Sequence, residues 1–428
     1  MSREERAQAE AAFAEADVAA IVATATLELG IDVGDLDLVQ QLEAPRTVSS
    51  FLQRLGRTGR RGDPARMTFY ATDAFHLVQA MAVIELAKRG WVESITPPRR
   101  AWHVLVHQLL VSALEEPGLV VSELYAKLKV AWPFADITEE ELVGLVRHLA
   151  SEEILEARGG TISLGPEGER RFSARNYFDL FAIFQGAREM SVRTENGDDI
   201  GTLQTSYVLT QGDGDFVFVL AGRRWQAVDV NGEAGVIWAK PAPDGKLPRW
   251  QSPMGGFVPR TVIEEHRKIL ASTAEPSYLI ESAKQELVGI RETWADVAGE
   301  EGWVLRSSPK GVIVHSFAGG RVNLTLAKVL AHRLGCATSS DEYTVSVRGT
   351  EAVTTNHVGD ELRRFAAEGF ADDLRAAVAA SLPRRPLSKF QPLLPPIRER
   401  EFLETRVFAF DDATVALQGH AIVVGANG

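Results

Sequence analysis

The residues best suited to bind a charged ligand or take part in a reaction are four arginines within positions 53–62. These positions read Gln-Arg-Leu-Gly-Arg-Thr-Gly-Arg-Arg-Gly. The arginines are Arg54, Arg57, Arg60 and Arg61, and glycines stand at positions 56, 59 and 62. A guanidinium group binds phosphate through planar, bidentate hydrogen bonds and stays charged, while glycines let a phosphate-bearing ligand approach the backbone. On a helix, the three-residue spacing places Arg54, Arg57 and Arg60 on one face. The pattern therefore predicts a site that senses a triphosphate, and it disfavours a merely solvated basic surface.

The elements that must position these arginines are predicted by the residues around them. Residues 20–33 begin as an apolar run, which is typical of a buried parallel strand. They end at Gly30 and Asp32, where the carboxyl end of such a strand meets ligand. Residues 36–42 and 66–71 are predicted strands, and residues 47–55 form a predicted helix that leads into the arginines. A long amphipathic helix is expected over residues 74–89, stopped by Gly90.

Two stretches resemble motifs five and six of the superfamily 2 helicases, which lie in the second RecA-like domain of those enzymes. The first is Ala23-Thr24-Ala25-Thr26-Leu27-Glu28-Leu29-Gly30-Ile31-Asp32, and the second begins at Gln53. The form Leu-Glu-Leu-Gly-Ile-Asp looks like the Lhr (large helicase-related) group. The resemblance implies a helicase that hydrolyses ATP with Mg²⁺ and moves along single-stranded DNA, in the 3′-to-5′ direction.

The same resemblance implies a role for each matching residue. Arg57 and Arg60 would act as arginine fingers on the γ-phosphate, and Gln53 would orient water or phosphate. Gly30, Asp32 and Gly56 would lie against the nucleotide. Thr24 and Glu28 would contact the DNA strand or couple it to the cleft.

The sequence lacks the other half of such an ATP site. No G-x-x-x-x-G-K-[S/T] phosphate loop occurs, and no Asp-Glu-x-His or Asp-Glu-Ala-Asp box closes an apolar strand. We therefore expect a C-terminal piece of a longer helicase, inactive as an isolated chain and without a metal site of its own. ATP and Mg²⁺ would be shared with a first RecA-like domain, which a separately encoded partner could supply.

Composition narrows the class of protein further. The chain has 428 residues, 45% of them hydrophobic, and a net charge of −12, so any groove for nucleic acid must be local. Its one cysteine, Cys336, excludes a disulfide framework and a multi-cysteine zinc site. No apolar run approaches 18 residues, so we expect neither a signal peptide nor a membrane span. A cytoplasmic protein is the expectation.

A winged helix is predicted after a linker over residues 94–100. Its expected parts are a helix over residues 102–114, a helix over 123–131 capped by Ser122, and a third helix. Thr138 and Glu141 form a capping box for the third helix, and residues 154–164 form a hairpin about a Gly-Gly turn. Acidic residues surround the third helix, which favours packing over base readout in the major groove, although both interpretations stay open.

The remainder alternates strands and helices. Strands are predicted over residues 208–209, 216–220, 224–230, 235–239, 311–316 and 343–348, and helices over 262–271, 277–298, 324–334 and 358–381. Trp250 lies beside Lys246 and Arg249, a combination that stacks single-stranded bases and holds phosphates. Base stacking and core packing are equally supported for Trp250. Segments 199–203, 246–250 and 315–322 resemble the C-terminal domain of the Lhr core.

The predicted fold class is α/β and α+β multidomain. Residues 1–95 would form a partial second RecA-like domain, residues 96–176 a winged-helix domain, and residues 177–428 a β-barrel or sheet domain with helices. The predicted partner is single-stranded DNA or a duplex with a single-stranded tail. Two alternatives remain: a non-catalytic nucleic-acid-binding or docking module that pairs with a separate ATPase half, and an RNA-directed helicase.

Overall fold

The structure is a computed structural model. It describes residues 8, 11–13, 15–16, 18–22, 36–59, 62–95, 97–172, 180, 189–204, 216–220, 223–231, 235–242, 257–349, 353–381 and 387–425. These residues form two compact units that are each assembled from separate stretches of chain. The first unit combines Met1–Thr96, Phe257–Leu382 and Leu403–Gly428, and the second combines Pro97–Gly256 and Pro383–Phe402. Residues 177–428 are thus divided between both units, and the domain boundaries predicted at 95/96 and 176/177 stay predictions.

The described elements are labelled in chain order. The α-helices are α1 (Val48–Leu55), α2 (Ala74–Lys88), α3 (Trp102–Glu115), α4 (Val121–Leu128), α5 (Glu139–Ser151), α6 (Pro166–Phe172), α7 (Arg260–Ala271), α8 (Glu281–Ala298), α9 (Gly320–Leu334), α10 (Thr355–Glu368), α11 (Asp372–Ala380), α12 (Pro396–Val407) and α13 (Phe410–Gln418). The strands are β1 (Val39–Leu42), β2 (Met67–Tyr70), β3 (Leu119–Val120), β4 (Leu155–Arg158), β5 (Thr161–Leu164), β6 (Glu189–Thr194), β7 (Asp199–Gln204), β8 (Val217–Leu220), β9 (Arg223–Asn231), β10 (Val236–Pro241), β11 (Trp303–Ser308), β12 (Gly311–His315), β13 (Ala337–Ser340), β14 (Thr344–Arg348) and β15 (Ile422–Val424).

Two of the predicted strands form a parallel pair in the first unit. Strands β1 and β2 pair from Val39–Met67 to Leu42–Tyr70, and the parallel direction requires the crossover that α1 supplies. Helix α2 differs from the prediction of an amphipathic helix. Every residue over positions 77–83 is buried, so α2 is covered on all sides, and its core includes Val262 and Ile263 of α7.

The first unit also contains a mixed five-stranded sheet, in the order β13-β14-β12-β11-β15. Helices α9, α10, α11 and α13 contribute to its core. The long helix predicted over residues 358–381 is wrong, because Gly369 adopts φ +72° and separates α10 from α11. The segment after residue 398, whose pattern predicts no clear element, supplies α13 and the edge strand β15, which pairs in parallel with β11.

The winged helix predicted in the second unit is confirmed. Helices α3, α4 and α5 accompany the small sheet β3-β5-β4, and Thr138 and Glu141 make both bonds of the capping box on α5. Gly159 and Gly160 turn the hairpin with φ values of +59° and +84°. The predicted cap at Ser122 is wrong, since α4 begins at Val121, two residues before the predicted start, and its N-cap, Val120, makes no side-chain bond.

A second five-stranded sheet completes the second unit, in the order β7-β6-β10-β9-β8. Its two edge strands approach each other, because a Cβ atom at Gly201 of β7 would lie 3.4 Å from the Leu220 side chain of β8. The sheet is therefore strongly curved, in agreement with the predicted barrel or sheet. Trp225 is buried within it, whereas Trp238 is only half-buried, on the strand face opposite Ile237 and Ala239. None of the helices in the described ranges is long and apolar enough for a membrane span.

Candidate functional site

The helix that leads into the arginines is fixed at its N-terminus by two acceptors. Thr47 is the N-cap, and its Oγ1 accepts a hydrogen bond from the Ser50 amide at 3.2 Å. The Glu93 carboxylate accepts from the Val48 amide at 2.6 Å and from the Ser49 amide at 2.9 Å. Carboxylates at this end of a helix accept hydrogen bonds from N–H groups that have no partner within the helix, and their negative charge interacts favourably with the positive end of the helix dipole. Glu93 is a contributor that the sequence pattern did not reveal, because it lies 45 residues away from Val48.

The loop before α1 is held by a buried amide. The Gln79 side chain, which is 1% exposed, donates to the carbonyl oxygens of Pro45 at 2.9 Å and Arg46 at 3.3 Å. A buried carbonyl group needs such a partner. Position 79 therefore carries a glutamine within the otherwise apolar middle of α2, and this exception was the one sequence signal for its role.

The C-terminal end of α1 turns sharply at the first glycine-arginine pair, Gly56-Arg57. The helix ends at Leu55, and the Gly56 amide donates to the Leu52 carbonyl at 2.8 Å. The Arg57 amide donates to the Arg54 carbonyl at 3.1 Å, and the Arg57 carbonyl accepts from the Leu36 amide at 3.0 Å. Arg57 is thus held through its backbone on both sides, in a turn beyond the helix.

Arg54 and Arg57 do not share one helical face, so that expectation is wrong for this pair. Arg54 is in the last turn of α1, and its Nη1 lies 2.6 Å from Oε1 of Gln41 on β1. Arg57 follows the glycine that ends the helix, and Arg60 lies outside the described residues. Gly56 interrupts the helical periodicity on which the expectation depended.

Gly59 is required by the turn that follows Arg57. Its φ is +72°, and a Cβ atom there would lie 2.6 Å from the Asp63 carbonyl oxygen and 2.7 Å from the Ala65 amide nitrogen. The Thr58 hydroxyl donates to the Leu55 carbonyl at 2.8 Å and accepts from the Arg66 amide at 2.9 Å. The backbone turn at Thr58 and Gly59 is therefore compact, and this fixes the backbone position from which the Arg57 side chain extends.

A small cluster of ionisable residues lies at the carboxyl ends of β1 and β2. His76 Nδ1 is 2.6 Å from Oε2 of Glu43 and 2.9 Å from Oδ1 of Asp73, and the Thr72 hydroxyl donates to Glu43. Glu43 adopts the left-handed φ of 58°, and Asp73 is the N-cap of α2. The three ligand atoms lie within 4.8 Å of one another, so this is the group in the described part of the chain that could hold a metal ion.

The other predicted site residues fall into two groups. Gln53 is exposed on α1, Gly56 is its C-cap, and Arg57 is half-buried, so these three are brought together at one end of the helix. The rest lie outside the described residues, namely Thr24, Glu28, Gly30, Asp32, Arg60, Lys246, Arg249 and Trp250.

In the second unit, the acidic helix α5 is tied to two arginines. Arg100 donates to both carboxylate oxygens of Glu141, at 2.7 and 3.1 Å, and Arg398 lies 3.0 Å from the same carboxylate. Both arginines also pair with Glu401, and their guanidinium groups lie over the wholly buried Trp102 ring at 5.1 and 4.5 Å. Hydrogen bonds from Arg100 lower the pKa of Glu141 to about 2. This end of α5 is therefore used in packing, which favours the structural interpretation of the helix.

Comparisons with known proteins agree with this architecture. The family model of the helicase conserved C-terminal domain matches residues 1–62, and that of the winged helix domain of large helicase-related proteins matches residues 85–246. ATP-dependent helicase Lhr-Core protein 2 of Thermococcus barophilus is 28% identical over 263 residues, which are 59% of this chain and 30% of that protein. ATP-dependent helicase Lhr-Core of Methanocaldococcus jannaschii is 26% identical over 352 residues, which are 78% of this chain and 41% of that protein.

One solved structure has the same fold over almost the whole chain. The helicase Lhr of Mycobacterium smegmatis, bound to ssDNA and AMP-PNP, matches 99% of this chain and 59% of that chain, with a TM-score of 0.62 and 22% identity. The chain thus spans less than two thirds of each of these three proteins. With a match to the helicase C-terminal domain followed by a match to the winged helix domain of the large helicase-related proteins, the chain is similar to the Lhr-like helicases in both of these parts.

Proposed function

We propose that this chain supplies the second RecA-like half of the ATP site of a DNA helicase, together with part of its DNA channel. The observation that carries the proposal is the turn at Arg57, which follows α1 directly and is bonded through its backbone on both sides. A rigid backbone lets a guanidinium group meet a phosphate without first being ordered. Arg57 and Arg60 would stabilise the charge that develops on the γ-phosphate during transfer.

Gln53 and Gly56 would complete this side of the cleft. Gln53 lies exposed on α1, four residues before Arg57, where its amide would orient water or phosphate. Gly56 has no side chain between these two residues. Gly30 and Asp32 would contact the nucleotide from the preceding loop. The phosphate loop and the acidic motif that holds Mg²⁺ are absent from these 428 residues, so another polypeptide segment must supply them.

Nucleic-acid binding is the second part of the proposal. The M. smegmatis structure holds ssDNA and AMP-PNP, and we extend both ligand classes to this chain. Thr24 and Glu28 would contact the strand near the cleft, and Trp250 would stack on a base beside Lys246 and Arg249. The intact helicase would move along the strand in the 3′-to-5′ direction. It would act in the cytoplasm and take part in DNA repair. The domain division at residues 95/96 and 176/177 belongs to the same proposal.

The test is reconstitution of the ATP site. The purified chain alone should show no DNA-stimulated ATP hydrolysis, because positioning of the phosphates and of the metal both require the missing motifs. Adding a first RecA-like domain from an Lhr relative, in trans or as a fusion, should restore hydrolysis and the unwinding of a tailed duplex.

Each outcome has a defined meaning. DNA binding without restored hydrolysis would favour the non-catalytic docking module, and hydrolysis stimulated only by RNA would favour the RNA-directed alternative. ATP turnover by the chain alone, in a preparation from which Arg57→Ala removes it, would overturn the division of the site between two segments.

A further inference from the structure

Glu93 binds the N-terminal end of α1, the helix that leads into the arginine turn. Its two carboxylate oxygens accept hydrogen bonds from the amides of Val48 and Ser49, at 2.6 and 2.9 Å. Val48 has no exposed surface, so its amide has little access to water as an alternative acceptor. The next amide of α1, at Ser50, is bonded to Thr47. Glu93 therefore supplies the acceptors for the first two amides of the helix.

The other end of the same helix carries the arginine turn. Helix α1 has eight residues, which corresponds to a length of about 12 Å. A tilt of about 5° around its N-terminus would thus displace its C-terminal end by about 1 Å. Because a displacement of about 1 Å is enough to lower an enzymatic rate by about 10²-fold, the anchoring of Val48 bears directly on where Arg57 points.

The place of Glu93 in the chain adds a second argument. It lies in the segment that follows α2, four residues before Pro97, where the second compact unit begins. A change in the path of this connecting segment would therefore reach α1 through a charged hydrogen bond. Charge-assisted bonds of this kind are about twice as strong as neutral ones.

We propose that Glu93 is a positioning residue for the arginine turn, and that it links the segment leading to the winged-helix unit with the ATP site. The proposal rests on the proposed function of Arg57. It assigns Glu93 no contact with nucleotide or DNA. Its effect passes through the orientation of α1.

The first test uses the chain alone and needs no activity. Glu93→Ala should increase hydrogen–deuterium exchange in residues 48–58 by about tenfold or more, because losing bonds to a charged group weakens the helix by about 1.4 kcal/mol or more, which corresponds to a tenfold change in an equilibrium constant. Peptides from the winged helix, residues 119–164, should stay unchanged. Glu93→Gln, which keeps one acceptor oxygen, should give an intermediate increase. Glu281→Ala is the matched control, because Glu281 is an exposed glutamate in the first turn of α8 in the same unit.

The second test uses the chain combined with a first RecA-like domain. Glu93→Ala should lower kcat by about 10²-fold with KM for ATP and DNA affinity within about twofold, and Glu93→Gln should recover part of kcat. A merely structural role would instead lower the amount of folded protein and leave kcat per folded molecule unchanged.

Two results would overturn the proposal. One is unchanged exchange in residues 48–58, and the other is faster exchange with normal kcat. If Arg57→Lys leaves turnover normal, the function proposed for Arg57 fails, and the exchange result for Glu93 still reports the anchoring of α1 by itself.

Discussion

Nη1 of Arg54 lies 2.6 Å from Oε1 of Gln41, so the first arginine of the cluster bonds to strand β1. This contact joins the C-terminal turn of α1 to the parallel strand pair. Arg54 therefore has a structural role within the helix, whereas Arg57 starts from the turn beyond it. Arg54 and Arg57 therefore differ in role because the helix ends between them.

Replacing Arg57 by lysine should separate phosphate recognition from simple charge attraction. Lysine keeps the positive charge and loses the planar fork, so we expect ATP turnover of the reconstituted enzyme to fall by about 10³-fold. DNA affinity, measured by fluorescence anisotropy, should change little. Arg363→Lys is the control, since Arg363 pairs with the nearby Asp360 on the surface of α10. Turnover near the normal rate would remove Arg57 from the catalytic set.

Gly59→Ala should destabilise the arginine turn. The new Cβ would lie 2.6 to 2.9 Å from backbone atoms of Asp63 and Ala65, at a φ of +72°. Gly62→Ala is the matched control, because Gly62 has φ +94° and a Cβ atom added there would meet nothing within 4 Å. The control should cost about 1–2 kcal/mol for the left-handed backbone alone, and Gly59→Ala should cost more. Urea unfolding measures both free energies, and equal costs would show that the turn yields without strain.

The Arg100–Glu141 pair should make the second unit sensitive to acid. Hydrogen bonds from Arg100 lower the pKa of Glu141 to about 2 from its usual value near 4.5. A lowered pKa in the folded state means that the stabilisation is fully present above about pH 4.5 and is lost as the pH falls towards 2. Relative to wild type, Glu141→Gln should therefore lower the free energy of unfolding by about 1–3 kcal/mol at neutral pH, and this difference should vanish near pH 2.

Glu139→Gln provides the comparison for that experiment, because Glu139 lies in the same first turn of α5. Its effect should be within about 0.5 kcal/mol at every pH, as is usual for exposed surface substitutions. A Glu141→Gln effect that is constant between pH 2 and pH 7 would contradict the assignment.

Trp250→Ala should test the proposed DNA contact. If the indole stacks on a base, affinity for single-stranded DNA should fall by about 1–3 kcal/mol, with little change in melting temperature. Trp225→Ala is the control for a buried tryptophan, since Trp225 is 7% exposed, and it should cost about 3–5 kcal/mol of folding stability. A Trp250→Ala variant that melts like Trp225→Ala and binds normally would place Trp250 in a core.

The sequence predicted features that local patterns encode. The strands β1 and β2, the capping box of Thr138 and Glu141, and the Gly-Gly hairpin each depend on residues a few positions apart, and all are confirmed. The role of Glu93 was not predictable, because its partner amides are more than 40 residues away. Nothing in the neighbouring sequence distinguishes Glu93 from the other glutamates of the chain. The break at Gly369 was missed because the flanking residues continue to favour helix on both sides.

The order in which the two units are completed follows from how the chain is divided between them. Strand β15 pairs with β11, although Ile422 and Trp303 are more than 100 positions apart, and the second unit also receives its last residues, 383–402, after most of the first has been made. Closing loops of this length slows folding. During synthesis, neither unit can complete its native contacts until residues 383–402 and strand β15 have left the ribosome. Until then the nascent chain will expose apolar surface of both units, which predicts a need for chaperones in the cell and sensitivity to deletion of β15.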